Sequence, residues 1–234
     1  MSLKTIAEMS STTMDIEKTR FKISIEVASL ITLLIWLVKL IEMVEGESFY
    51  RYGLLPRSFN GLIGVLTAPL IHSDFNHLFN NSITIFILTT GLVYFYRDLW
   101  YRIIIFSWII SGIMVWTGAR ASYHIGCSGL IYSIASFIFF SGVFRKNINL
   151  MAISLLVVFL YGGLVWGVLP IFPQISWEYH LFGGLTGTIL AVVYRNQGPS
   201  PQRWSWMNES NDKDDENEEY WNSEIFEDNK EEKL

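Results

Sequence analysis

Three short stretches of this chain carry side chains whose types and spacing could do acyl chemistry. The first is His72-Ser73-Asp74-Phe75-Asn76-His77-Leu78-Phe79-Asn80-Asn81. His77 and Asn81 stand four apart there, on one face of a helix and one turn apart. The second is Gly126-Cys127-Ser128-Gly129, a serine flanked by small residues. Small neighbours let a substrate backbone approach, and glycine permits the turn that exposes a hydroxyl. The third is Tyr179-His180-Leu181-Phe182-Gly183-Gly184-Leu185-Thr186-Gly187. A serine hydroxyl is a poor nucleophile until a base takes its proton, and a neutral imidazole near pH 7 suits that task. A tetrahedral intermediate then needs donors aimed at its oxyanion. His77, the Asn81 amide and the Ser128 backbone N–H can supply them.

Each stretch also has a plainer reading. Asp74 can cap a helix that begins after it, although two histidines and an asparagine exceed what capping needs. A G-x-S-G string is weak alone, because small residues also pack membrane helices closely. Gly183 and Gly187 form a G-x-x-x-G face of that packing kind, and His180 lies on nearly the same face. If the helix brought close at that stripe carries Ser128, a Ser–His pair results.

The elements that must position these residues follow from charge. Residues 75–96, 103–119, 121–144, 147–177 and 179–194 contain no Asp, Glu, Lys or Arg. About 20 apolar residues cross a bilayer as a helix. Six spans are expected, at about 23–44, 77–96, 102–118, 128–144, 149–169 and 178–194. Glu26 and Glu42 lie near the ends of the first span, and Lys39 is expected to snorkel to the interface. Lys4, Lys18, Arg20 and Lys22 precede that span. Arg97 with Arg102, and Arg145 with Lys146, mark the second and fourth connections, against Arg51, Arg57 and Arg120 on the other side. Positive residues favour the cytoplasm, so both termini are expected there. The second, fourth and sixth spans then start in one leaflet, where their polar residues can meet.

Composition agrees with a membrane protein. The chain is 51% hydrophobic and 17% charged, with a mean hydropathy of +0.32. The net charge of −5 is concentrated at one end, since 12 of the 22 acidic residues lie between Glu209 and Leu234. The expected organisation is a cytoplasmic N-terminal segment (1–22), a six-span domain (23–196) and a disordered acidic cytoplasmic tail (197–234). Cys127 is the single cysteine, which rules out an intrachain disulfide. No small-residue cleavage site follows the first apolar run, so that span is expected to be an uncleaved signal anchor. Nothing points to nucleic acid.

Taken together, the residues resemble the rhomboid family of intramembrane serine proteases over about residues 61–193. The resemblance rests on H-x4-H-x3-N at His72, His77 and Asn81, on G-x-S-G around Ser128, and on H-x2-G-x3-G from His180. It implies an all-α, six-helix membrane bundle and a Ser–His dyad with no third acid. Ser128 would be the nucleophile and His180 the general base. His77 and Asn81 would help form the oxyanion hole, with His72 and Gly126 beside it. Tyr132 matches an aromatic position that packs against the catalytic histidine, and Gly129, Gly183 and Gly187 would pack the helices. The family implies transmembrane protein substrates within the lipid bilayer and no cofactor or metal. A bacterial inner membrane is the expected location. One departure is clear: many relatives carry a Trp-Arg pair in the first outer loop, where this chain has Leu55-Pro56-Arg57 followed by Gly61-Leu62.

Other residues read as supporting. His124 suits an interfacial hydrogen bond and Cys127 a packing role. Trp100, Trp108, Trp116 and Trp166 suit interface belts or lipid-facing packing. Trp177 and residues 170–173 are expected to form a loop over the site. Two competing functions are a non-catalytic client-binding module on the same scaffold, and a metal or proton-transport site from His72, Asp74 and His77. The last lacks an H-E-x-x-H motif and further ligands.

Overall fold

The structure is a computed structural model and describes residues 3–160, 167–171 and 176–199. Among these residues it is helical, with one isolated β-bridge and no strand. The main helices are α1 (Leu3–Glu45), α2 (Phe75–Phe95), α3 (Trp100–Gly118), α4 (Ser128–Phe144), α5 (Ile148–Leu160) and α6 (Trp177–Val193). Three stretches are long and apolar enough to cross a membrane: Met14–Glu45, Phe75–Phe95 and Trp100–Gly118. The chain is therefore an all-α membrane bundle. The fifth expected span, 149–169, lies partly outside the described residues, as do most of the acidic tail, Trp166 and residues 172–173 of the expected loop. Helix α1 begins well before residue 23 and runs unbroken through much of the expected N-terminal segment.

Helix α4 is the centre of the bundle and packs on α2, α3, α5 and α6. Twelve of its 17 residues are buried, which explains a sequence that is apolar on every side. Helix α1 packs against α2 and leaves Leu30 (71% exposed), Leu33 and Leu37 outward, as a lipid-facing helix would. Trp36 ties the two helices by donating its indole N–H to Ser82 Oγ at 2.9 Å.

Lys39 is largely covered by the protein. Its ammonium pairs with Glu42 at 2.7 Å and donates to the carbonyl oxygens of His72 (3.0 Å) and Ser73 (3.3 Å). The face of α1 bearing both charges turns toward the segment preceding α2. There, backbone carbonyls solvate the ammonium.

Residues 46–74 fold into an ordered cap of short helical turns (Phe49–Tyr52, Asn60–Ile63, Gly64–Thr67 and Ala68–Leu70). Leu54 and His124 exchange backbone hydrogen bonds at 2.9 and 2.8 Å. The Arg57 guanidinium donates to the Ala119 carbonyl at 2.7 Å. Trp116 donates its indole N–H to Ser58 O at 2.9 Å, and Trp108 donates to Val65 O at 3.1 Å. These two tryptophans hold the loop onto α3, a different task from the interface belt their composition suggested.

Candidate active site

Ser128 is the first residue of α4, and the turn into it depends on Gly126. That glycine has φ +99°, a conformation costly for any residue with a Cβ. A Cβ there would also sit 2.7 Å from His77 Cε1 and 2.8 Å from His77 Nε2. The turn is pinned by the Gly126 N–H donating to Ala68 O at 2.8 Å. Because Ser128 opens its helix, its own N–H has no partner four residues back, and it points the positive end of the helix dipole into the site.

Helix α6 brings His180 to this point. Gly183 lies against the Gly129 carbonyl, and Gly187 against the Ser133 carbonyl; a Cβ at either position would overlap those oxygens. Gly129 in turn accommodates the Tyr179 ring. Glycines on both sides thus let α4 and α6 touch backbone to backbone. At this approach, His180 Nε2 and Ser128 Oγ are 2.8 Å apart. The other ring nitrogen, Nδ1, is 2.8 Å from the Gly167 carbonyl. A carbonyl can only accept, so Nδ1 carries the proton and Nε2 is free to accept the serine proton. The Tyr132 ring stacks on the imidazole, with centroids 4.3 Å apart and planes 11° from parallel. The imidazole is therefore oriented by a backbone carbonyl and an aromatic face.

Helix α2 supplies the remaining groups. Asp74 caps it as expected, accepting the His77 N–H at 2.9 Å. Among the described residues the buried Asn81 Nδ2 amide has no hydrogen-bond partner, and it lies 3.5 Å from where a Gly126 Cβ would be. A buried donor left unpaired costs about 1–3 kcal/mol, which is the cost expected of a donor reserved for a transient acceptor. His72 lies beneath: its ring is 5.0 Å from the His77 ring, and its Nε2 is 3.7 Å from Cys127 Sγ. Burial pulls the His72 pKa down to about 3, so it stays neutral. Among the described residues, His72, Asp74 and His77 belong to no group placed to hold a metal ion.

Sequence reasoning missed three participants. The Gly167 carbonyl has no residue-type signature, because any residue offers one. Ser73, at hydrogen-bonding distance from His77 Nδ1 (3.2 Å), was legible only as a neighbour four residues before it. The buried Glu178 joins the start of α6 to the α3–α4 loop, 3.4 Å from Arg120 Nε. His124 is fully buried in that same loop, with its Nε2 3.3 Å from the Arg120 carbonyl oxygen.

A half-buried serine–histidine pair at the head of two membrane-bundle helices is the arrangement expected of a membrane serine hydrolase. Comparison makes the class specific. The Rhomboid domain family model matches residues 60–197, more than half of the chain. Uncharacterized proteins of Mycobacterium tuberculosis and Mycobacterium bovis are each 33% identical over 171 residues, 68% of this chain and 70% of theirs. One from Mycobacterium leprae is 30% identical over 172 residues, 68% of this chain and 67% of its own. The chain belongs to the rhomboid family, whose members are intramembrane serine proteases.

Proposed function

We propose that this protein is a six-span intramembrane serine endopeptidase that cleaves transmembrane proteins in or beside a membrane-spanning helix. The observation that carries the reading is the 2.8 Å contact between Ser128 Oγ and His180 Nε2, with Nδ1 held by Gly167 O. Ser128 Oγ attacks the scissile carbonyl carbon while His180 Nε2 takes the hydroxyl proton. The oxyanion is met by the Ser128 N–H, the Asn81 amide and His77. His180 then passes its proton to the departing amine, leaving an acyl-serine. Water, deprotonated by the same nitrogen, attacks the ester and restores the hydroxyl.

A helical substrate hides its carbonyls in hydrogen bonds, so the cleaved segment must unwind locally. Helix-weakening Gly, Pro or polar residues near the cut follow from that. Both termini face the cytoplasm of a bacterial inner membrane in this reading, and the site opens near the outer leaflet. The lysine and arginine distribution supports that orientation.

The test is labelling by a fluorophosphonate in mild detergent, comparing wild type with Ser128→Ala and His180→Ala. Labelling of wild type alone is expected. A folded wild type that neither labels nor cleaves a transmembrane substrate in liposomes would sink the protease reading in favour of a client-binding role.

A further inference from the structure

The polar groups behind His77 decide which of its ring nitrogens carries a proton. Ser73 Oγ lies 2.6 Å from Asp74 Oδ2 and 3.2 Å from His77 Nδ1. The Ser73 hydrogen bond, followed by the His77 N–H, holds the Asp74 carboxyl below the usual carboxylate range. Asp74 is therefore ionised near neutral pH and can only accept. Ser73 has one hydrogen, and the short contact with the carboxylate takes it. Only lone pairs remain on Oγ to meet His77, so His77 Nδ1 must be the donor. In a neutral ring, that leaves Nε2 bare. Yet Nε2 and Cε1 are the atoms that press against Gly126, at the mouth of the site. A bare nitrogen there would repel an oxyanion.

We propose that Ser73 and Asp74 form a proton-ordering relay, so that His77 serves the oxyanion only as an imidazolium whose charge the Asp74 carboxylate balances. This rests on the protease reading, in which an oxyanion forms beside His77. The extra proton comes from bulk water, which reaches the exposed Ser73 and Asp74. It stays on His77 while the oxyanion forms and collapses, so turnover consumes none.

The other titratable and charged groups around His77 do not replace Asp74. His72 is buried and neutral. Lys39 of α1, which reaches the His72 and Ser73 carbonyls, is already paired with Glu42. Across the site, His180 of α6 spends its Nδ1 proton on Gly167 O. The buried Cys127 thiol faces His72.

Two histidines are thereby needed in opposite states, His180 neutral and His77 protonated. A bell-shaped rate profile follows, with His180 setting the acid limb and His77 the alkaline limb. Ser73 and Asp74 are positioning residues that act through His77. Asp74→Asn is an informative variant because its side-chain carbonyl can still cap α2 while the charge is gone.

The experiment has two readouts on full-length protein in detergent. The first is the pH profile of kcat for wild type, Ser73→Ala and Asp74→Asn. The second is nitrogen-15 NMR of the histidine rings, with His77 assigned by loss of its signals in His77→Gln. Expected are a wild-type His77 protonated on Nδ1 when neutral and on both ring nitrogens on the acid side of the alkaline limb, and an alkaline limb moved down by about one pH unit in Asp74→Asn. The acid limb and KM should be unmoved. An Nε2-protonated neutral His77 in wild type, or an alkaline limb unmoved in both variants, overturns the relay. If wild type fails to label or cleave, the protease reading is what fails. The ring spectra then decide the relay alone: a switch to Nε2–H in Ser73→Ala supports it, and an unchanged tautomer overturns it.

Discussion

At the scale of residues, the candidate site is built from groups that each hold one other group still. Gly167 O holds the His180 proton on Nδ1, Tyr132 holds the plane of the ring, and Gly126 holds the turn that presents Ser128. Asn81 differs, because its buried amide nitrogen has no partner among the described residues. Asn81→Ala should therefore lower kcat by about 100-fold, corresponding to the loss of about 3 kcal/mol from one oxyanion donor. KM should change little and thermal stability should hold or rise, since an unpaired buried donor is removed and no resting-state bond to that nitrogen is lost. Steady-state cleavage of a transmembrane substrate beside a melting curve checks both. At Tyr132, Phe should keep the stacked ring and most of the activity. Leu should cost about five- to tenfold, the equivalent of roughly 1 kcal/mol of aromatic contact.

At the scale of elements, the seam between α4 and α6 determines whether Ser128 and His180 meet. Its contacts are backbone against backbone, at Gly183 on the Gly129 carbonyl and Gly187 on the Ser133 carbonyl. Overpacking of this kind typically costs about 1–3 kcal/mol. Gly183→Ala or Gly187→Ala should lower the melting temperature and reduce fluorophosphonate labelling more than stability alone explains, because the shift separates the dyad. Gly91 in α2 is the control. Among the described side chains a Cβ there meets only Ile153 Cγ2, at 3.7 Å, and Ala is the better helix former, so Gly91→Ala should be neutral or slightly stabilising. Equal effects at all three positions would show that the seam is not a tight contact.

At the scale of the whole molecule, the cap of residues 46–74 and the bundle are joined around His72. Its folded-state pKa of about 3 lies below the ordinary 6.5, because burial disfavours the charged ring. Neutral His72 therefore costs nothing above pH 6.5, and stability falls as pH drops from there toward 3. By pH 5 the unfolded chain gains about 2 kcal/mol by protonating this histidine. Melting curves between pH 7.5 and 5 should show that loss, and His72→Gln should flatten it. The same histidine passes its backbone carbonyl to Lys39, so the α1 ion pair, the cap and the start of α2 form one connected unit.

Much of this molecule was legible before any coordinates. Charge-free blocks announce membrane helices because the bilayer penalises each unpaired charge locally, one residue at a time. Asp74 announces its cap, and His77 with Asn81 a shared face, because those relations lie within a single turn. The glycines at 183 and 187 likewise mark a close approach, since only a missing Cβ permits one. What remained hidden depended on partners far apart in the chain. The sequence could not say that Lys39 would turn inward to carbonyls more than thirty residues away, or that Trp108 and Trp116 would hold the loop before α2. Nor could it single out Gly167, whose contribution is a backbone oxygen shared by every residue type. The chain by itself therefore determined which helices form and which polar groups they carry. Only tertiary packing decided which atoms those groups meet, because hydrogen-bond partners are chosen by distance in space and not by residue type.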